Sequence, residues 1–305
     1  MKKVTNQEFI EGRLYQHNLE IKKVQNKESK NYGTDFISGT LDVATDEEGL
    51  NIVTVHYTYV VETTANGKKN VTFDTLKNII EGGKAWITDG KDEALKLRLT
   101  PSLALNDFYN ADNQLVSAKR NEGGFVNVVR ELSPVDQRNR FKCDMVITGV
   151  TRVEGEEEGA KDFLRIRGAV FNFRNDLLPV EFVCRREDAF NYFEGLNASS
   201  KEPVFTEVRG AIVSNTIKLN IEEESAFGSA SVRTVTRNVK EYVIDWARPT
   251  EYDFGAEDVL TVDELKKAQQ NREVYLAEIK KRTEDFRSNR NNNSNPGVPA
   301  GGFDF

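Results

Sequence analysis

The sequence predicts a mainly β protein: two tandem five-stranded barrels, each with a short helix, followed by a C-terminal α-helix and a disordered tail. Three observations carry that expectation. Segments in which apolar and polar residues alternate with period two recur within residues 9–129 and again within 141–245, as half-buried strands require. Both stretches present the same order of strand, loop, hairpin, helix, strand, loop, strand. After Tyr252-Asp253-Phe254-Gly255 the spacing becomes helical, and the chain then enters an Asn, Ser, Pro and Gly stretch. The expected units are 1–132, 138–250, 260–288 and 289–305.

In the first unit, Phe9 to Val24 contains a long extended stretch, and a polar loop runs from Gln25 to Gly33. Ile37, Gly39, Leu41 and Val43 then alternate with Phe36, Ser38, Thr40 and Asp42, and Thr45 to Gly49 makes a turn. Ile52 to Val61 is rich in β-branched and aromatic residues and forms the next strand. A turn at Asn66-Gly67-Lys68 leads to a short helix with Phe73, Leu76, Ile79 and Ile80 on one face, stopped by Gly82-Gly83. Leu95, Leu97 and Leu99 mark a fourth strand, Asn106 to Asn113 a loop, and Gln114 to Val129 a last strand broken at Gly123-Gly124.

The second unit repeats this order. Phe141 to Val153 and Asp162 to Phe173 are strands separated by an acidic loop, Glu154 to Gly159. Arg174-Asn175-Asp176 turns the chain into Leu177 to Cys184, and Asp188 caps a short helix reaching Leu196. Val204 to Ile217 and Ser231 to Asp245 complete the set, with a loop around Ala226-Phe227-Gly228. A helix between the third and fourth of five strands is the order of the OB fold, so the expected architecture is a pair of OB-like barrels. Two unrelated β domains and one larger sandwich are the competing arrangements.

Thr261-Val262-Asp263-Glu264 has the form of a capping box. Leu265, Ala268, Tyr275, Leu276, Ile279 and Phe286 then fall near one face of a long helix. That face packs either across the second barrel or against another subunit; Arg272 and Arg282 interrupt the seam and disfavour the latter. The stretch 291–299 has the composition of a tether, and Phe303-Asp304-Phe305 at its end has no core to join.

A length of 305 residues accommodates more than one domain, and a hydrophobic fraction of 38% permits real cores. Apolar runs are too short to span a bilayer, and Met1 to Gln7 is basic without an apolar stretch behind it, so neither membrane span nor signal peptide is expected. Cys143 and Cys184 lack metal-ligand or redox spacing and read as reduced, packed thiols of a cytoplasmic protein. The net charge of −7 removes bulk attraction to nucleic acid, so any such site is a local groove. Acidic tracts such as Asp46-Glu47-Glu48 read as solvated loops, since the alternating spacing of a calcium site is missing.

Enzymatic function and a bound cofactor are not expected. The two histidines, His17 and His56, stand in no catalytic motif, and Gly82-Gly83-Lys84 lacks the other residues of a phosphate-binding loop. Binding has the stronger case. In Phe163 to Phe173, Leu164, Ile166, Gly168 and Val170 share one parity and fill a barrel, while Arg165, Arg167, Phe171 and Phe173 share the other with Phe163. Guanidinium groups pair with phosphates and rings stack on any base, which is what a single strand needs. Two alternatives stand beside this: the phenylalanines pack under a loop or between barrels, or a bulge at Gly168 reverses the parity. The first unit offers Phe36 and His56 on the corresponding face, or Tyr57 and Tyr59 in the other register. Tyr32, Lys68 and Lys69 sit on loops, and Lys119 and Arg120 on the fifth strand.

With this strand order, the tether and the terminal Phe305, the chain resembles the single-stranded DNA-binding proteins of bacterial and phage replication. The resemblance implies sequence-independent coating of single-stranded DNA in replication or recombination, and recruitment of replication or repair partners by the tip. Phe305 would enter an apolar pocket of the partner, Asp304 would meet a basic rim, and Phe303 precedes them. The chain departs from the family in its tandem barrels, its single acidic residue at the tip and the helix before the spacer. A divergent phage or mobile-element version fits these departures. Two linked barrels lessen the need for the family's tetramer, and a homo-oligomer stays compatible. A phage structural or assembly protein with a docking peptide is the alternative function.

Overall fold

The structure is a computed structural model that describes residues 4–29, 31–64, 66–155, 161–223, 231–254 and 260–292, with backbone alone over 215–223, 231–239 and 289–292. The first half contains β1 (Asn6–His17), β2 (Glu20–Lys23), β3 (Asp35–Ala44), β4 (Ile52–Val61), α1 (Val71–Gly82), α2 (Trp86–Asp89), β5 (Lys96–Leu99), β6 (Ser102–Tyr109), β7 (Leu115–Glu122) and β8 (Val126–Val128). The second half contains β9 (Arg140–Val153), β10 (Phe163–Phe171), β11 (Leu177–Cys184), α3 (Phe190–Gly195), β12 (Val204–Glu223), β13 (Ser231–Ala247) and, last, α4 (Val262–Asn292).

Strand pairing closes both halves into barrels. β1 pairs with β3, β3 with β4, β4 in parallel with β7, β7 with β6, and β5 returns to β1. In the second half β9 pairs with β10, β10 with β11, β11 in parallel with β13, β13 with β12, and β12 returns to β9. Each circuit has its parallel contact between the third and fifth strands, the OB order expected from the sequence. One core gathers Leu14, Leu41, Val53 and Leu97 under Phe73, Leu76 and Ile79 of α1. The other is built on Phe141, Phe182 and Tyr242, with the last two rings stacked 5.2 Å apart.

Local chemistry sets the element ends. Asn70 caps α1 by accepting from the Thr72 amide at 3.1 Å, and the Gly83 amide closes it on the Ile79 carbonyl. The fourth strand of the first barrel is longer than expected: β5 and β6 are interrupted only at Thr100-Pro101, and β6 continues to Tyr109 where a loop was anticipated from Asn106. Proline has no amide hydrogen for the ladder, so the strand breaks there. Asn113 turns β6 into β7 with a φ of 61°. Asp188 does not cap α3, because it lies inside a 3-10 turn, Glu187–Ala189, that precedes the helix, and the cap position falls on Ala189. The loop around Ala226-Phe227-Gly228 lies outside the described residues.

The barrels are fused rather than strung together. The start of β1 pairs with β9, Asn6 opposite Cys143 and Phe9 opposite Arg140, while the rest of β1 pairs within its own barrel. Beside this ladder lies a buried polar cluster. The Tyr242 hydroxyl donates to Glu8 Oε1 at 2.5 Å, and Lys240 Nζ reaches Asn121 Oδ1 at 3.0 Å. The Asn121 amide donates to the Thr54 carbonyl.

The capping box forms as read: the Glu264 amide donates to Thr261 Oγ1 and Glu264 Oε2 accepts from the Thr261 amide. Leu265 and Ala268 bury against Phe171, Phe205 and Leu260. Rather than crossing the second barrel alone, α4 bridges both, packing on β6 and β11. Arg272 grips Asp107 with both terminal nitrogens at 2.6 Å, and Arg287 Nη2 donates to the Asn110 carbonyl.

Candidate nucleic-acid interface

The outer face of β3 and β4 is an aromatic platform shaped by a bulge. Ile37 pairs with Val60 and Gly39 with Tyr57, so Thr58 and Tyr59 both lie opposite Ser38. Two residues against one re-aim the strand. Tyr57 therefore enters the core at 2% exposure while Tyr59 stands 47% exposed on the outside. The Phe36 ring lies 4.9 Å from Tyr59, and the Tyr59 hydroxyl accepts from Asn31. Tyr32 is exposed on the same loop as Asn31.

His56 sits on this face opposite Thr40 and beside Glu122 of β7. Burial, then the positive charges of Arg120 and Lys240, hold its imidazole below the ordinary range. It thus meets a ligand at neutral pH as an uncharged ring. Lys68 is exposed on the loop leaving β4, whereas Lys69 is tied to Asp74 at 2.9 Å.

In the second barrel the expected parity holds for the first turns of β10. Leu164, Ile166 and Val170 enter the core, and Arg165 and Arg167 face solvent. A bulge does occur between Arg167 and Gly168, but the extra residue is Thr148 of β9, so β10 keeps its alternation. Glu181 of β11 lies between the arginines, 3.0 Å from Arg167 Nε and 3.7 Å from Arg165 Nε. Arg185 lies 4.9 Å from the Phe163 ring, adding a cation and an aromatic surface.

Phe171 is not a stacking residue. It points outward as expected, yet α4 and Leu260 cover that end of the sheet and leave it 0% exposed. Phe173 is freely exposed, with the Arg174 guanidinium 5.2 Å from its ring. Lys119 is half-buried where the barrels meet: its Nζ donates to the Glu181 carbonyl at 2.8 Å and lies over the Tyr242 ring. Burial holds its ammonium below the ordinary lysine range. Lys119 and Arg167 line one open groove. Arg120 pairs with Glu122 at 2.9 Å.

The structure therefore brings Tyr32, Phe36 and Tyr59 together on one barrel and Phe163, Arg165 and Arg167 together on the other. Between them Arg120, Lys240 and Lys119 make a cationic seam, with the uncharged His56 ring beside the first two. Tyr59 entered the sequence reading only as one of two registers, because a bulge has no period to detect. Arg185 was missed, and its only signal was the Arg185-Arg186 pair after a strand. Phe303, Asp304 and Phe305 lie outside the described residues.

Cys143 and Cys184 are unpaired and buried, with thiols raised above the ordinary range by burial. Among the described residues no group of three His, Cys, Asp or Glu is placed to hold a metal, and no helix is long and apolar enough to cross a membrane.

The profile of a family described as YorF matches residues 6–282. Among solved structures, a deletion mutant of the single-stranded DNA-binding protein from Thermus aquaticus is similar at 14% identity and a TM-score of 0.48, over 84% of this chain and 98% of that one. A Replication Protein A heterotrimer bound to single-stranded DNA is similar at 11% identity and a TM-score of 0.18, over 80% of this chain and 66% of that one. No curated protein matches the sequence. Both superpositions are loose, and the fold rests on the strand pairings.

Proposed function

This protein belongs to the YorF family, and we propose that it binds single-stranded DNA without reading its sequence. The observation that carries the proposal is the Phe36–Tyr59 ring pair on the β3–β4 face of a closed OB barrel, the face that such barrels use for oligonucleotides. Bases stack on these rings and on Tyr32, while Arg165, Arg167 and Arg185 meet phosphates on the second barrel. His56 contributes a face rather than a charge. Lys68 and Lys69 extend the first platform, and Lys119 and Arg120 lie between the two.

Full-length protein is expected to bind dT oligomers more tightly than duplex, with affinity falling as salt rises. Phe36→Ala and Tyr59→Ala should each weaken binding by about 1–3 kcal/mol, read by fluorescence titration. Equal affinity for duplex and single strand would refute the proposal.

The functional context we propose is coating and protection of DNA in phage or mobile-element replication and recombination. Phe303, Asp304 and Phe305 recruit a replication or repair protein. Deleting 301–305 is expected to leave dT affinity unchanged or raised while abolishing that partner contact. A marked loss of dT affinity on deletion would contradict this division of labour.

A further inference from the structure

We propose that the cavity enclosed by both barrels and α4 is a second ligand site, shaped for a single nucleotide. It does not depend on the strand-binding proposal. The cavity has a volume of about 320 Å³, at the lower end of the range for small-molecule sites and about ten times the share of one water. Three separate elements send arginines to its wall: Arg120 from β7, Arg174 from the β10–β11 turn and Arg272 from α4.

Two of these arginines carry unmet hydrogen-bond capacity. The Nε groups of Arg120 and Arg272 are buried and have no partner. These two Nε atoms are closed off from the cavity, so Arg120 and Arg272 shape its wall as fixed charges and the accessible donor is Arg174. The Arg272 side chain is only 10% exposed. Its terminal nitrogens are taken by Asp107, and a terminal nitrogen of Arg120 by Glu122, so both are fixed in place with Nε left over. Arg174 forms no ion pair among the described residues and is the cation free to take a phosphate. The nearby carboxylate of Asp176 is occupied by Asn172, whose amide donates to it at 3.0 Å.

The rest of the wall argues for a base. Leu177 and the Tyr275 ring supply apolar surface, and Asn271 supplies an amide with both donor and acceptor. Asn271, Arg272 and Tyr275 share one face of α4 by their helical spacing, so the helix itself forms a wall. Inorganic phosphate would leave the apolar wall unused, and a hydrocarbon would leave the Arg174 guanidinium without a partner. A nucleotide satisfies both. Its source is either a free mononucleotide or the terminal nucleotide of a strand.

Isothermal titration of the full chain with dTMP, dAMP, thymidine and inorganic phosphate tests the site. Both nucleotides are expected to bind, with thymidine and phosphate weaker by about tenfold or more. Arg174→Ala and Tyr275→Ala, both at exposed positions, should each weaken dTMP binding by about tenfold and leave the melting temperature unchanged. Two dT oligomers, with and without a 5′-phosphate, then compete against dTMP. Displacement by the phosphorylated oligomer alone identifies a strand end, and displacement by neither identifies the free nucleotide. No binding of either nucleotide, or dTMP affinity unchanged in both variants, overturns the proposal. Neither failure bears on dT affinity at the Phe36–Tyr59 platform.

Discussion

Replacing Asp107 with alanine is expected to lower the unfolding free energy by about 3–5 kcal/mol, because it leaves a buried guanidinium without its counter-charge. The Asp107 side chain is 1% exposed and Arg272 10%, and two hydrogen bonds of 2.6 Å join them. Removing either partner leaves the other's charge largely buried. The contact also ties α4 to the first barrel, so its loss frees a helix that covers Phe171 on the second. A double variant, Asp107→Leu with Arg272→Leu, should recover much of the stability, since no charge is then stranded. Urea denaturation of the three proteins measures this. An Asp107→Ala loss below about 1 kcal/mol would place the pair in the class of surface bridges and contradict its role.

A second large effect is expected from pH. Burial pushes the Glu8 carboxyl up from 4.5 to about 7, against the opposing pull of the Tyr242 hydrogen bond and the Lys240 charge. Its second oxygen has no hydrogen-bond partner to stabilise a negative charge. The folded chain therefore keeps a proton that the unfolded chain releases as pH passes 4.5. Glu8's contribution is fully present below that pH, declines as pH rises, and is lost once pH exceeds about 7, a total of about 3 kcal/mol. The groups facing it are Tyr242, Lys240 and Cys143, none of which ordinarily titrates in this window. Glu8→Gln keeps an acceptor for the Tyr242 hydroxyl and removes the ionisation. The difference in stability between wild type and Glu8→Gln should therefore change steadily between pH 4.5 and 7, and a flat difference would exclude Glu8 as its source.

The barrels were legible because their signal is local. Each strand needs only its own alternation, as in Leu164, Ile166 and Val170, and the element order then favours the OB closure over two unrelated β domains or one larger sandwich. What escaped the sequence depends on distant chain. Phe171 has the outward parity of a stacking residue, and only α4, some ninety residues on, decides that it is covered. Lys119 looks like a free cation on a fifth strand until the backbone carbonyl of Glu181, in the other barrel, accepts its hydrogen bond. Tyr59 owes its exposure to one inserted residue against β3, a shift that leaves composition untouched. Asp188 sits one residue short of the cap position, inside the 3-10 turn that the chain takes ahead of α3, an offset that local periodicity does not resolve.

The ladder between the start of β1 and β9 has a mechanical consequence. A flexible linker would let each barrel swing and seize its own stretch of polymer, but a shared strand permits no hinge. The molecule acts as a ruler: the spacing between the Phe36–Tyr59 platform and the arginines of β10 is set once, at folding, and any polymer touching both must conform to that span.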